Sequence, residues 1–147
     1  RGLGDVYKRQ SIHLPLDSIV ADKFSADAQT NLAKSDEILQ NWMGLDIGPL
    51  AAQQFTKIIE ESKTILWNGP MGVFELEPFE EGTKSIASAV AKSTEKGAYS
   101  LIGGGDSAAA AKKFNVVEKI SHVSTGGGAL LEYFEGKELP GIAAINK

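Results

Sequence analysis

From residue 50 onward the apolar positions fall into a repeating order. Phe55, Ile58 and Ile59 recur at helical spacing over Leu50–Ser62, and the apolar run Thr64–Trp67 that follows reads as a strand. A Gly/Pro loop and a helix over Thr83–Lys96, closed by Gly97, complete one strand-loop-helix unit. A second unit has strand Tyr99–Ile102, loop Gly103–Asp106 and helix Ser107–Phe114. The third has strand Ile120–Ser124, loop Thr125–Gly128 and helix Ala129–Glu135, ended by Gly136. Strands separated by helices need crossover connections, so the spacing predicts a parallel sheet with helices on both faces. The expected class is α/β, a Rossmann-like three-layer arrangement.

The upstream part is less regular. Ile12, Leu14 and Leu16 alternate with polar or small positions around Pro15, which predicts a short edge strand that Ser18–Ala21 extends. Asp22–Gln40 is polar with weak helical periodicity. Asn41–Pro49 is punctuated by Gly44, Gly48 and Pro49 and reads as a loop, though one with more apolar surface than an idle linker carries. Arg1–Gln10 shows neither period and is read as a foreign or disordered lead-in, the other reading being an element cut off upstream. That leaves residues 11–147 as one unit.

Composition narrows the function. A chain of 147 residues is long enough for one core without a metal or disulfide staple. Its formal charge of −4 argues against nucleic acid or an anionic membrane as the main partner. The absence of Cys removes thiolate metal sites, iron–sulfur clusters and cysteine nucleophiles, and fits a reducing, cytoplasmic setting. No apolar run approaches the ~20 residues that span a bilayer. The 16 glycines exceed the ordinary ~7% of a globular chain, and they concentrate where the strands should end.

Three loops hold them: Asn68-Gly69-Pro70-Met71-Gly72, Gly103-Gly104-Gly105-Asp106-Ser107 and Thr125-Gly126-Gly127-Gly128. Ligands of open parallel sheets bind beyond the carboxyl ends of the strands. Glycine lets the backbone approach closely there, and the free N–H groups of a helix start suit phosphate. Three such loops on one edge describe a polyphosphate cradle. Asp106 either caps its helix or faces a magnesium ion held mainly by phosphate oxygens, and Ser107 is a first-turn hydroxyl or a phosphate contact.

Gly103, Gly105 and Ala108 also fit the alanine variant of the dinucleotide fingerprint, but the next strand ends His122-Val123-Ser124-Thr125, without the acid that would bond a ribose. A Walker A pattern is absent. His13 and His122 sit among apolar neighbours, which favours partly buried, hydrogen-bonded imidazoles over a metal or base role. Trp67 reads as core and Trp42 either as core or as a stacking surface. Glu75 either accepts bonds from a sugar or caps the helix that follows.

Taken together, Ile65-Leu66-Trp67-Asn68-Gly69-Pro70-Met71-Gly72-Val73-Phe74-Glu75, then Gly103–Ser107, then Ser121–Ala129, in this order, closely resemble the phosphoglycerate kinase family, and Trp42–Pro49 and Leu139-Pro140-Gly141 match it too. The resemblance covers residues 11–147. It implies reversible phosphoryl transfer from 1,3-bisphosphoglycerate to ADP, giving 3-phosphoglycerate and ATP in glycolysis, with Mg2+ carried by the ADP or ATP. The chain would be the C-terminal part of the nucleotide-binding domain of a two-domain cytoplasmic enzyme that is monomeric at full length. Gly44, Leu45 and Val73 would line the adenine pocket, Asn68, Gly69 and Pro70 would approach the phosphates, and Glu75 would bond the ribose. Gly104, Gly105, Asp106 and Ser107 would contact the phosphates, Asp106 largely through magnesium. Gly105 and Gly128 would aim backbone N–H groups at the phosphoryl group in flight. A β-branched residue at either should then slow transfer, by forbidding the backbone angle or by blocking the group.

Ser107 stands where many members carry Thr, and Met71 where many carry Val. The glycerate-binding domain and the phosphate-binding lysines of the upstream C-domain segment have no counterpart here. The domain is therefore expected to be incomplete, inert alone, and to expose strand edge and apolar surface. The alternative reading is a Rossmann-type dinucleotide-binding module.

Overall fold

The computed structural model describes residues 11–139 and 143–144; the expectation about residues 1–10 lies outside them. Two sheets form. The first is antiparallel, in the order β2-β1-β3, from β1 (Asp17–Ala21), β2 (Thr30–Lys34) and β3 (Met43–Ile47). The second is parallel, in the order β4-β5-β6, from β4 (Thr64–Asn68), β5 (Tyr99–Gly103) and β6 (His122–Ser124). Helices α1 (Pro49–Glu61), α2 (Glu81–Glu95), α3 (Gly105–Lys113) and α4 (Gly127–Phe134) alternate with these strands from β3 onward. The three strand-loop-helix units thus stand where the periodicity puts them, and the class is α/β.

The antiparallel sheet corrects the upstream reading. Ile12, Leu14 and Leu16 are exposed and outside any strand, and β1 begins only at Asp17, where partners flank it on both sides. Pro15, with no N–H to give a ladder, lies just before. The stretch 22–40 contains no helix but turns back into β2, so its weak helical period had no packing partner behind it. The expected loop 41–49 is largely β3, which pairs with β1 around a bulge between Ile19 and Val20. Leu45, Asp46 and Ile47 are buried in succession, so the segment lacks the alternation that marks a half-buried strand.

Two buried carboxylates on this sheet start the first two helices. Asp17 accepts the N–H groups of Leu50 (3.1 Å) and Ala51 (2.7 Å), and its carbonyl accepts that of Gly48 (2.8 Å). Pro49 occupies the first turn, where its missing N–H costs nothing. Asp46 accepts the N–H of Gly82 at the start of α2 (2.7 Å). Each helix is therefore capped by a residue distant in sequence, and each cap fixes a helix to the antiparallel sheet.

The core joins Ile65, Trp67 and Ile102 of the parallel sheet to Ala51 of α1, Ile86, Ala87 and Val90 of α2, and Ala110 and Ala111 of α3. The alanine tract of α3 thus lets the helix lie close to the strands. A second cluster of Ala21, Leu45 and Phe79 sits under the antiparallel sheet. Residues of the parallel sheet that point the other way are open, with Leu66 at 42% and Tyr99 at 53% exposure. The helical covering expected on both faces is thus interrupted there, which is the bare surface expected of an incomplete domain. His13 and His122 are both exposed, so the expectation of partly buried imidazoles is corrected for each.

Candidate functional site

Parallel strands deliver their carboxyl ends to one rim. The register sets Asn68 beside Gly103 and Gly103 beside Ser124, so the three glycine loops start next to one another, separated by strand spacings of about 4.8 Å. Hydrogen bonds tie loop to loop. The Gly104 N–H donates to the Ser124 carbonyl (2.9 Å), and the Gly69 N–H to the Ser107 hydroxyl oxygen (2.6 Å). Trp67, buried in the core as its sequence context suggested, sends its indole N–H to the Gly69 carbonyl (2.7 Å).

The glycines of the rim divide by what they do. Gly69 and Gly104 have φ of +98° and +101°, which side-chain-bearing residues rarely adopt. A Cβ on Gly127 would lie 2.6 Å from both N and Cα of Gly104, so α4 can start beside the β5–α3 loop only with glycine there. Gly105 and Gly128, by contrast, are exposed, lack a positive φ, and a Cβ on either would meet nothing within 4 Å. The expectation that a side chain at Gly105 or Gly128 forbids the backbone angle is therefore corrected. What these two leave is exposed backbone with open space where a side chain would begin.

Two helices, α3 and α4, begin at this rim, each presenting unsatisfied first-turn N–H groups and a partial positive charge. Asp106 lies exposed in the first turn of α3 and caps no helix N–H among the described residues, so its carboxylate is left to face solvent or a bound cation. Ser107 is buried, its oxygen occupied by Gly69, and acts as a tie between loops. Among the described residues no cluster of three or more His, Asp or Glu could hold a metal by itself. An ion here would take most of its oxygens from phosphate and water, as magnesium does.

Beside the rim lies a cleft of about 340 Å³ lined by Gly44, Leu45, Pro70, Gly72 and Val73. The Val73 N–H donates to the Leu45 carbonyl (2.8 Å), locking the two walls together. Asn68, Gly69 and Pro70 run between this cleft and the rim, and Glu75 is exposed on the same loop as Val73. The candidate residues are therefore gathered on two adjoining surfaces. A larger cleft of about 470 Å³ opens between β3, α1 and the start of α2, but none of the three glycine loops lines it.

Sequence reasoning missed two residues. Gly127 is the middle of three identical letters, and no pattern tells which of them touches another backbone. Asp46 bore no motif. Its carboxylate fills the space where Gly72 or Gly82 would carry a Cβ, and it accepts the N–H groups of Gly82 (2.7 Å) and Ile47 (2.9 Å). Burial pushes this carboxyl up to about 6, against the pull of those two bonds, and the charge of Glu81 adds to the rise.

The sequence model of phosphoglycerate kinase matches residues 3–137. The chain is 54% identical over 146 residues to the phosphoglycerate kinase of Rhodococcus erythropolis, covering 99% of this chain and 36% of the relative. To that of Debaryomyces hansenii it is 59% identical over 136 residues, covering 92% of this chain and 33% of the relative. The solved phosphoglycerate kinase of Coxiella burnetii superimposes with a TM-score of 0.82 at 49% identity, over 90% of this chain and 34% of that one. The enzyme from Pyrococcus horikoshii gives 0.74 at 34% identity. The chain spans about a third of the length of the relatives it matches. Among the described residues no helix is long and apolar enough to cross a membrane.

Proposed function

The chain belongs to the phosphoglycerate kinase family, and from that premise we propose that its glycine rim holds the phosphates of Mg-ADP or Mg-ATP. This is the nucleotide half of the reversible transfer that converts 1,3-bisphosphoglycerate and ADP into 3-phosphoglycerate and ATP. The observation that carries the reading is the register of Asn68, Gly103 and Ser124, which supports three N–H-rich loops converging on one anion. Residues 11–147 are then the C-terminal part of the nucleotide-binding domain. The glycerate-binding residues belong to the length of the relatives that this chain does not span. The full-length enzyme is a cytoplasmic monomer on this reading.

Gly44, Leu45 and Val73 bound the slot for the adenine, and Glu75 accepts a ribose hydroxyl. Asn68, Gly69 and Pro70 carry the chain from the adenine slot to the phosphates. The Gly104–Ser107 amides, backed by the α3 dipole, bind the phosphate tail, and Asp106 meets it through the magnesium that the nucleotide brings. The transferred phosphoryl group passes between carboxyl oxygen and ADP oxygen with its charge spread over three equatorial oxygens. It needs fixed donors rather than a covalent nucleophile. The open amides of Gly105 and Gly128 are suited to that position.

Calorimetric titration tests this. The chain should bind ADP more tightly with Mg2+ than without, and should prefer Mg-ADP to NAD. Asp106→Asn should weaken Mg-ADP about tenfold while leaving metal-free ADP little changed, the loss of one charge-assisted contact. Turnover of 1,3-bisphosphoglycerate by the chain alone should be absent. Preference for NAD, or an Asp106→Asn variant indistinguishable from wild type, would sink the assignment.

A further inference from the structure

Lys113, in the last turn of α3, is a charged residue that the site so far leaves unused. Its ammonium group donates to the Phe74 carbonyl (2.5 Å) and pairs with the Glu80 carboxylate (2.6 Å), with only 38% and 22% of the two side chains exposed. It lies over the rings of Phe74 (5.9 Å) and Phe114 (5.7 Å), which meet edge to face at 6.4 Å. Most surface lysines make one solvated ion pair of little weight. This one touches three elements: α3, the loop after β4, and the residue that leads into α2.

Those elements carry different parts of the nucleotide site. The loop bears Val73 and Glu75 on either side of Phe74, whereas α3 bears Gly105 and Asp106 in its first turn. Phe74 itself is buried, so its carbonyl needs an inward partner, and Lys113 is that partner. Removing the ammonium leaves this carbonyl without its partner and loosens the tie between the loop and α3, while the Val73–Leu45 bond still holds the loop to β3.

We propose that Lys113 is a positioning residue for the nucleoside end of the ligand. It sets the distance between the loop that faces adenine and ribose and the helix that faces phosphate. This rests on the nucleotide reading above and extends it to a residue that touches no ligand. Affinity for Mg-ADP therefore depends on Lys113, while affinity for Mg-pyrophosphate, which reaches only α3 and the rim, does not.

The test compares Lys113→Met, which keeps the apolar stem, with Lys113→Arg, whose forked donors can reach both acceptors. In the free protein, hydrogen exchange of residues 73–76 should speed up in Lys113→Met and stay near wild type in Lys113→Arg, with β1 and β2 unchanged in both. Calorimetry should show Mg-ADP weakened about tenfold by Lys113→Met, Mg-pyrophosphate unchanged, and Mg-ADP restored in Lys113→Arg. Equal loss for both ligands, or unchanged exchange at 73–76, would overturn the positioning role while leaving the nucleotide site standing. A wild-type chain that binds Mg-pyrophosphate but gains nothing from the adenosine would overturn it also. A wild-type chain that binds neither would instead remove the nucleotide reading, and this role with it.

Discussion

Close approach of two backbones is a demand that one residue meets or fails. The amide of Gly104 and the first turn of α4 are so near that a methyl group on Gly127 would sit 2.6 Å from Gly104 N and Cα. Gly127→Ala must push α4 off the β5–α3 loop, a strain worth about 1–3 kcal/mol by the ordinary cost of overpacking. Gly128→Ala meets nothing within 4 Å and should leave stability near wild type. Urea denaturation of the two variants checks this, and equal midpoints would refute the contact. The site was legible in the sequence as a set of loops because glycine runs at strand ends have few uses. The division of labour among the glycines was not, since φ and contact depend on a neighbour some twenty residues away. Ser107 makes the same point: its type allowed a first-turn hydroxyl or a phosphate contact, and only the fold shows that its buried oxygen receives the Gly69 N–H.

Between elements, the Asp46 carboxylate joins β3 to α2 and fills the gap left by Gly72 and Gly82. Its pKa is raised from 3.8 to about 6, first by burial. Because the folded state holds this proton more tightly than the unfolded chain does, its contribution favours folding fully below about pH 3.8. That contribution is lost as pH climbs through about 6. The change amounts to about 3 kcal/mol at the upper bound set by the shift. Asp46→Asn cannot ionise, so its stability relative to wild type should rise between pH 4 and pH 7, whatever fixed penalty the amide incurs against the Ile47 N–H. Chemical denaturation at the two pH values measures the difference, and parallel profiles would contradict it. The helices and the parallel strands were readable because each contributes one apolar face at its own period. The antiparallel sheet was hidden because β3 is buried on consecutive residues and β2 on almost none. Its strands β1 and β3 are tied to α1 and α2 by the Asp17 and Asp46 caps, contacts between residues more than thirty positions apart that no local pattern displays.

For the whole molecule, the parallel sheet ends abruptly. In the order β4-β5-β6, both outer strands have one edge without a partner strand among the described residues. Along β4 this edge borders an apolar groove of about 360 Å³ that Phe55, Ile58, Leu66 and Met71 line. Leu66 and Tyr99 extend the apolar surface onto the open face of the sheet. Free N–H and C=O groups beside exposed apolar side chains form a template for another strand. A net charge of −4 gives only weak repulsion between copies. The chain should therefore self-associate as its concentration rises. Leu66→Lys places a charge on the exposed side of β4, where it costs little stability because the side chain it replaces is not in the core. Sedimentation velocity should show the weight-average mass of wild type growing with concentration while that of Leu66→Lys stays nearer the monomer, at an unchanged thermal midpoint. A wild-type chain that remains monomeric throughout would refute the edge as a template for a second copy.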